Sequence, residues 1–199
     1  MNNKTHIQRL VGTAILAAFV IVLQFFVSIP IGAFTITLTL VPIMIGAILF
    51  GPATGALLGG IFGGVVSIQV VTGAAGIISL TMFQYTPVVT IALCMLKGIA
   101  AGWIAGLIYR LFEKLQKTML GTVLAAVACP IVNTGLFAIG MLIFYQTLLR
   151  QWAIDYEYAS AVSFLMIGMI GLNFVVEFAC NVVLIPAVMR IITVVKKKF

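Results

Sequence analysis

Charge is almost missing from this chain. Asp, Glu, Lys and Arg together make up 8% of its 199 residues, and only four of these are acidic; soluble domains carry about 25% charged residues. Histidine is reduced to His6, and the three cysteines, Cys94, Cys129 and Cys180, lie in apolar runs without CxxC spacing. Those shortages exclude a disulfide framework and a Cys/His zinc site. No GxxxxGK[ST] loop occurs, so the chain carries no P-loop ATPase. No two acids stand close together inside an apolar run, and His6 has no second histidine. Hydrolytic chemistry within a membrane needs such groups, so the chain is expected not to be an enzyme and to use no cofactor. The longest charged connector, 110–117, is too short to be a soluble domain.

Apolar residues fill the space. They make up 63% of the sequence, and the mean hydropathy is +1.28. A chain of this size has too little interior to hide that much apolar surface from water. An all-α integral membrane protein is therefore expected, as one membrane domain over residues 1–199. The net charge of +7 is read through the positive-inside rule rather than as a nucleic-acid signal.

Charges, prolines and glycines divide the chain into six spans, at about 9–28, 36–50, 53–71, 86–112, 119–149 and 161–195. The stretch Leu10 to Val27 is uncharged and long enough for a span rather than the apolar region of a signal peptide. The second segment is short: 15 residues of helix rise only about 22 Å. Its start, Phe34-Thr35-Ile36-Thr37-Leu38-Thr39-Leu40, alternates with period two, as a strand does. Pro42 suits a first helical turn. Part of this segment must therefore be extended, or buried among neighbours. With both termini cytoplasmic, nine of the eleven basic residues fall inside; Arg150 lies outside and Lys97 within a span.

Lys97 is the most informative residue. It lies about 11 residues into the fourth span, roughly 16 Å deep, and a charge there by default marks a ligand or ion pathway. The alternative is an ion pair with Glu177, the other charge deep in a span. Asn173, Glu177 and Asn181 recur at i, i+4 and i+8 and stack on one stripe of the last span. Such a stripe faces protein or water, not lipid, either as a binding surface or as interhelical hydrogen bonding. Asn133, beside Pro130, belongs to the same polar layer or satisfies local backbone. Gln69, Gln84, Tyr85, Tyr145 and Trp152 gather at the outer span ends. They either form an interfacial belt or cap an outward pocket with residues 35–40. Gly55, Gly59 and Gly63 open a helix surface for close packing, as Ala14 and Ala18 do in the first span.

Three features then carry a resemblance: the Ala14-x-x-x-Ala18 pair, the extended Thr-rich segment, and a Pro-led short second helix ending in Leu49-Phe50-Gly51-Pro52-Ala53-Thr54-Gly55-Ala56. With the size and six-span layout, the chain resembles the substrate-binding S component of an energy-coupling factor (ECF) vitamin transporter. The resemblance implies a cell-membrane protein that binds a vitamin from outside. It further implies docking through Ala14 and Ala18 onto a membrane coupling protein, the T component, with two ATPase subunits driving release by toppling. Many folate and riboflavin relatives carry an acid after the third-helix glycines; here the stretch reads Gly63-Gly64-Val65-Val66-Ser67. The pattern is most similar to pantothenate-type members, with Lys97, Asn133, Asn173, Glu177, Gln84, Tyr85 and Gln69 as the expected ligand contacts. Other vitamins or precursors, niacin among them, remain alternatives. Two further classes are a self-sufficient secondary transporter, which would show an inverted repeat and ion-site carboxylates, and a membrane scaffold, which would need no Lys97.

Overall fold

The computed structural model describes residues 3–26, 29–31, 34–36 and 38–198, with side chains described over 7–26 and 38–194. The chain is an all-α integral membrane protein: among the described residues, five helices are long and apolar enough to cross a membrane. The first is α1, Asn3–Phe26. Two three-residue strands follow, β1 Ile29–Ile31 and β2 Phe34–Ile36, paired antiparallel with Ile29 opposite Ile36. The period-two segment is thus a strand at its start; Thr37 and the side chains of Thr35 and Ile36 lie outside the described residues.

Helix α2, Leu40–Phe50, is four residues shorter at its start than the expected 36–50. It has almost no polar side and is buried nearly all round, with Leu40, Pro42, Ile43, Met44, Gly46, Ala47 and Ile48 inside. A helix apolar on every face belongs in a core. Both expectations for the short segment hold together: it begins extended and ends buried.

The Gly51-Pro52 break has a specific geometry. Gly51 takes φ +95°, a conformation that costs glycine little, and its N–H closes α2 on the Ala47 carbonyl at 3.1 Å. Its own carbonyl accepts from the N–H groups of Thr54 at 3.0 Å and Gly55 at 3.1 Å, opening α3, Pro52–Val71. Pro52 at the first helical position lacks an N–H that would have had no partner.

Helix α5, Pro87–Lys114, runs antiparallel to α3, and the two backbones nearly touch. A Cβ on Gly59 would land on the Gly98 carbonyl oxygen, and one on Gly102 on that of Gly55; Gly63 faces the backbone of Cys94 and Met95. The glycine series is therefore a packing seam within the chain. α6, Thr118–Phe144, packs on the other side of α5.

Three further boundaries differ from expectation. The stretch 72–85, left between the third and fourth expected spans, contains α4, Ile77–Tyr85, with Ile78, Ser79 and Met82 buried; nine residues are too few for helical periodicity to stand out. The fifth span, expected to reach residue 149, stops at Phe144. The chain turns at Tyr145 into α7, Gln146–Asp155, which buries Leu149, Trp152 and Ala153 at amphipathic spacing. The segment 161–195 is not one helix. It starts as α8, Ala161–Ser163, capped reciprocally by Ser160 and Ser163, winds as a π-helix over Phe164–Gly171, and continues as α9, Leu172–Val183. After Leu184 comes α10, Ile185–Lys198, with Ile185, Val188 and Ile192 buried and Arg190 exposed. Thirty-five residues of straight helix would reach about 52 Å, far beyond a hydrocarbon core of about 30 Å; the break before Pro186 resolves the excess.

Two apolar cores result. One surrounds α2, joining Ile43, Met44 and Ala47 to Leu58, Ala101, Tyr109 and Cys129. The second lies at the far end, where α7 and the π-helical segment close over Met82, Met141 and Tyr145. By contrast α1 is nearly bare: over residues 7–26 only Val20 and Gln24 are buried.

Candidate functional site

Between the two cores lies a cavity of about 100 Å³, room for several water molecules. α3 contributes Phe62 and Gln69, α4 Ser79 and Met82, α5 Thr90, Cys94 and Lys97. α6 adds Asn133, Thr134 and Phe137, the π-helical segment Met169 and Ile170, and α9 Asn173 and Glu177. Five of the seven expected contacts, Lys97, Asn133, Asn173, Glu177 and Gln69, are thus brought to one space from four helices. Apolar walls carrying a few convergent polar groups are the usual make-up of a small-molecule site.

Lys97 owes its position to the glycine seam, because its neighbour Gly98 is pressed against Gly59. Its ammonium stands 5.1 Å from the Phe137 ring centroid and 5.8 Å from that of Phe62, within cation–π range. Two aromatic faces thus favour the charge at this position.

Asn133 is buried at 6% exposure, three residues after Pro130, the proline inside α6. Glu177 is buried at 4%. Asn181, one turn beyond, does not line the cavity; its Nδ2 donates to the Glu177 backbone carbonyl at 2.9 Å, a local helix bond. Gln69 is engaged within the protein. Gln24 Nε2 donates to Gln69 Oε1 at 2.8 Å, and Gln69 Nε2 returns a bond to the Gln24 carbonyl at 3.0 Å. Thr39 Oγ1 donates to Gln24 Oε1 at 3.0 Å. This trio ties α1 to α3 and to the entry of α2 along the cavity wall. Nearer its start, α1 is tied again by a bond from Arg9 to Thr54 Oγ1 at 3.1 Å.

Gln84 and Tyr85, the remaining expected contacts, do not line the cavity: Gln84 is on the exposed side of α4, and Tyr85 is about half exposed. The turn of α4 sends Ser79 and Met82 inward instead. Sequence reasoning also passed over Gln24, Thr90 and Thr134. Gln24 was open to detection, as a lone amide near the end of an apolar span. The two threonines gave no such signal, because a threonine in a membrane helix commonly bonds its own backbone.

Tyr145 and Trp152 face inward rather than forming a belt. Tyr145 is fully buried, and its hydroxyl lies 2.7 Å from Thr90 Oγ1 and accepts from Thr86 Oγ1 at 2.9 Å. Trp152 packs on Phe164, centroids 6.3 Å apart. We expect Tyr145→Phe to cost about 1–2 kcal/mol, since it leaves the buried Thr90 hydroxyl and the half-buried Thr86 hydroxyl a partner short. A thermal melt in detergent showing no loss would contradict this role of the corner.

Ala14 and Ala18 lie together on the exposed side of α1, among exposed Leu10, Val11, Ile15, Phe19 and Val22. The small residues leave a shallow strip on an otherwise bulky apolar surface.

The fold and the cavity together define a multi-pass membrane protein with a polar-lined space between its helices. The sequence pattern of the family described as ECF transporter, substrate-specific component, matches residues 8–189; the chain belongs to that family. Its members are transporter subunits rather than enzymes, binding small substrates and working with T and ATPase modules. No curated protein matches the chain.

Proposed function

We propose that this chain captures a small carboxylate vitamin of the pantothenate type at the cell membrane, with both termini cytoplasmic. The observation that carries the reading is Lys97: a cation held in a mostly apolar cavity beside the amides of Asn133 and Asn173. Pantothenate is a flexible carboxylate with hydroxyls and an amide, so the ammonium would meet the carboxylate and the side-chain amides the remainder. Release would depend on a T component and two ATPases, since the chain has no nucleotide loop. The direct test is native mass spectrometry of the purified protein, followed by binding and liposome assays. A bound carboxylate vitamin, and binding without accumulation in liposomes, are expected. Uptake driven by an ion gradient in the absence of any partner would sink the reading in favour of a secondary transporter.

The exposed strip at Ala14 and Ala18 is the proposed docking face for the coupling protein. Ala14→Leu or Ala18→Leu should lower co-purification with that partner while leaving the vitamin Kd unchanged, because a branched side chain at a close helix crossing costs about 1–3 kcal/mol. Unchanged complex yield for both variants would remove α1 from the docking face.

A further inference from the structure

Helix α1 reaches the cavity through one side chain. Over residues 7–26 only Val20 and Gln24 are buried, and among the described residues of α1 only Gln24 lines the cavity. It stands in the last turn of the helix, 2% exposed. Its carbonyl, its side-chain nitrogen and its side-chain oxygen are each engaged. The last carbonyls of a helix have no partner inside it; that of Gln24 accepts from Gln69 Nε2 on α3 at 3.0 Å. Gln24 Nε2 donates to Gln69 Oε1 at 2.8 Å, and Gln24 Oε1 accepts from Thr39, at the entry to α2, at 3.0 Å. All three residues are buried, so water does not replace a bond that breaks, and each group left unmet is costly. Gln69 lines the same cavity as Lys97, and Gln24 fixes which way its amide points. A second polar tie of α1, from Arg9 to Thr54, lies roughly 22 Å away along the helix axis, and neither of those residues lines the cavity.

We propose that Gln24 is a positioning residue of the binding site: through Gln69 it makes α1 part of the cavity wall, so that ligand occupancy and the placement of α1 are coupled. This rests on the reading that the cavity holds the ligand, and not on which vitamin that ligand is. The role is exerted through Gln69. With the three bonds intact, α1, α3 and the entry to α2 form one wall, and an occupied cavity supports that wall from within. A helix moves as a rigid element, so a displacement of its bare outer face is carried to Gln24 and from there to the cavity. Such coupling is reciprocal. A ligand steadies α1, and whatever shifts α1 from its place loosens the ligand by the same factor.

The experiment is hydrogen–deuterium exchange on the purified full chain in detergent, resolved by peptide, with and without saturating pantothenate. In wild type, pantothenate should slow exchange in the second half of α1 by about fivefold or more, alongside protection of α5 and α6. Gln24→Met keeps the side-chain length and loses its bonds. It should abolish the response of α1 to pantothenate while α5 and α6 still respond. Gln69→Met should do the same, and serves as the second variant should Gln24→Met fail to fold. A merely structural glutamine predicts something else: faster exchange of α1 in the variants, with the ratio between bound and free protein kept. That kept ratio would overturn the proposal. So would a wild-type α1 that ignores pantothenate while α5 and α6 are protected, whatever the variants do. If α5 and α6 also fail to respond, pantothenate does not bind, and the choice of vitamin fails by itself. The molecule that co-purifies with the chain then replaces pantothenate in the same comparison, and the same two results decide.

Discussion

Lys97→Met is expected to weaken pantothenate binding about 10- to 100-fold, whereas Lys114→Ala leaves it unchanged. A hydrogen bond to a charged group contributes about 1.5–3 kcal/mol, and each 1.4 kcal/mol is a decade of affinity. Lys97 lines the cavity between the Phe62 and Phe137 rings; Lys114 is exposed at the end of α5. Glu177 lines the same cavity, so a purely structural role for the lysine makes a separate forecast. In that case Lys97→Met and Glu177→Gln would each lower the melting temperature, and the double variant would regain both stability and binding. Full binding by the double variant would take Lys97 out of the site. Affinity and melting temperature measured for the three variants separate the two outcomes.

Gly59→Ala should be among the most damaging single-methyl changes in the chain, costing about 3 kcal/mol through overpacking. The added carbon would meet the Gly98 carbonyl and the Ile99 backbone nitrogen rather than a side chain able to swing aside. Gly64→Ala, five residues further along α3, is the internal control, because a Cβ at that position would have nothing within 4 Å; helix propensity alone would make it neutral or stabilising by up to about 1 kcal/mol. Thermal melts of both variants check the contrast. Since the seam also sets the backbone beside Lys97, Gly59→Ala should weaken ligand binding too. Equal melting temperatures for the two variants would show that α3 and α5 are not in close contact at this register.

The polar residues of the site were legible because membrane helices tolerate so few of them. A lysine, an asparagine and a glutamate within apolar runs are each costly against lipid, so Lys97, Asn133, Asn173 and Glu177 stood out singly. Spacing along one helix further put Asn173 and Glu177 on a common stripe. What spacing could not do was rank residues near the span ends. There Gln69 and Gln84 were expected as contacts alike, yet the first is bonded to Gln24 and the second is exposed, while Tyr145, not among the expected contacts, is held by Thr86 and Thr90.

Composition and order along the chain were enough to determine the membrane class, the short buried second helix and the break at Gly51-Pro52. Those properties depend on local chemistry: the transfer of apolar side chains out of water, the rise per residue, the φ open to glycine and the N–H that proline lacks. The α3–α5 register, the inward turn of α7, the division of the last segment at Leu184 and the gathering of the polar residues of four helices at one cavity were decided only by tertiary structure. Each depends on which surfaces lie opposite one another, and a glycine or a buried amide acquires its role from the group it faces, which lies far away in the sequence.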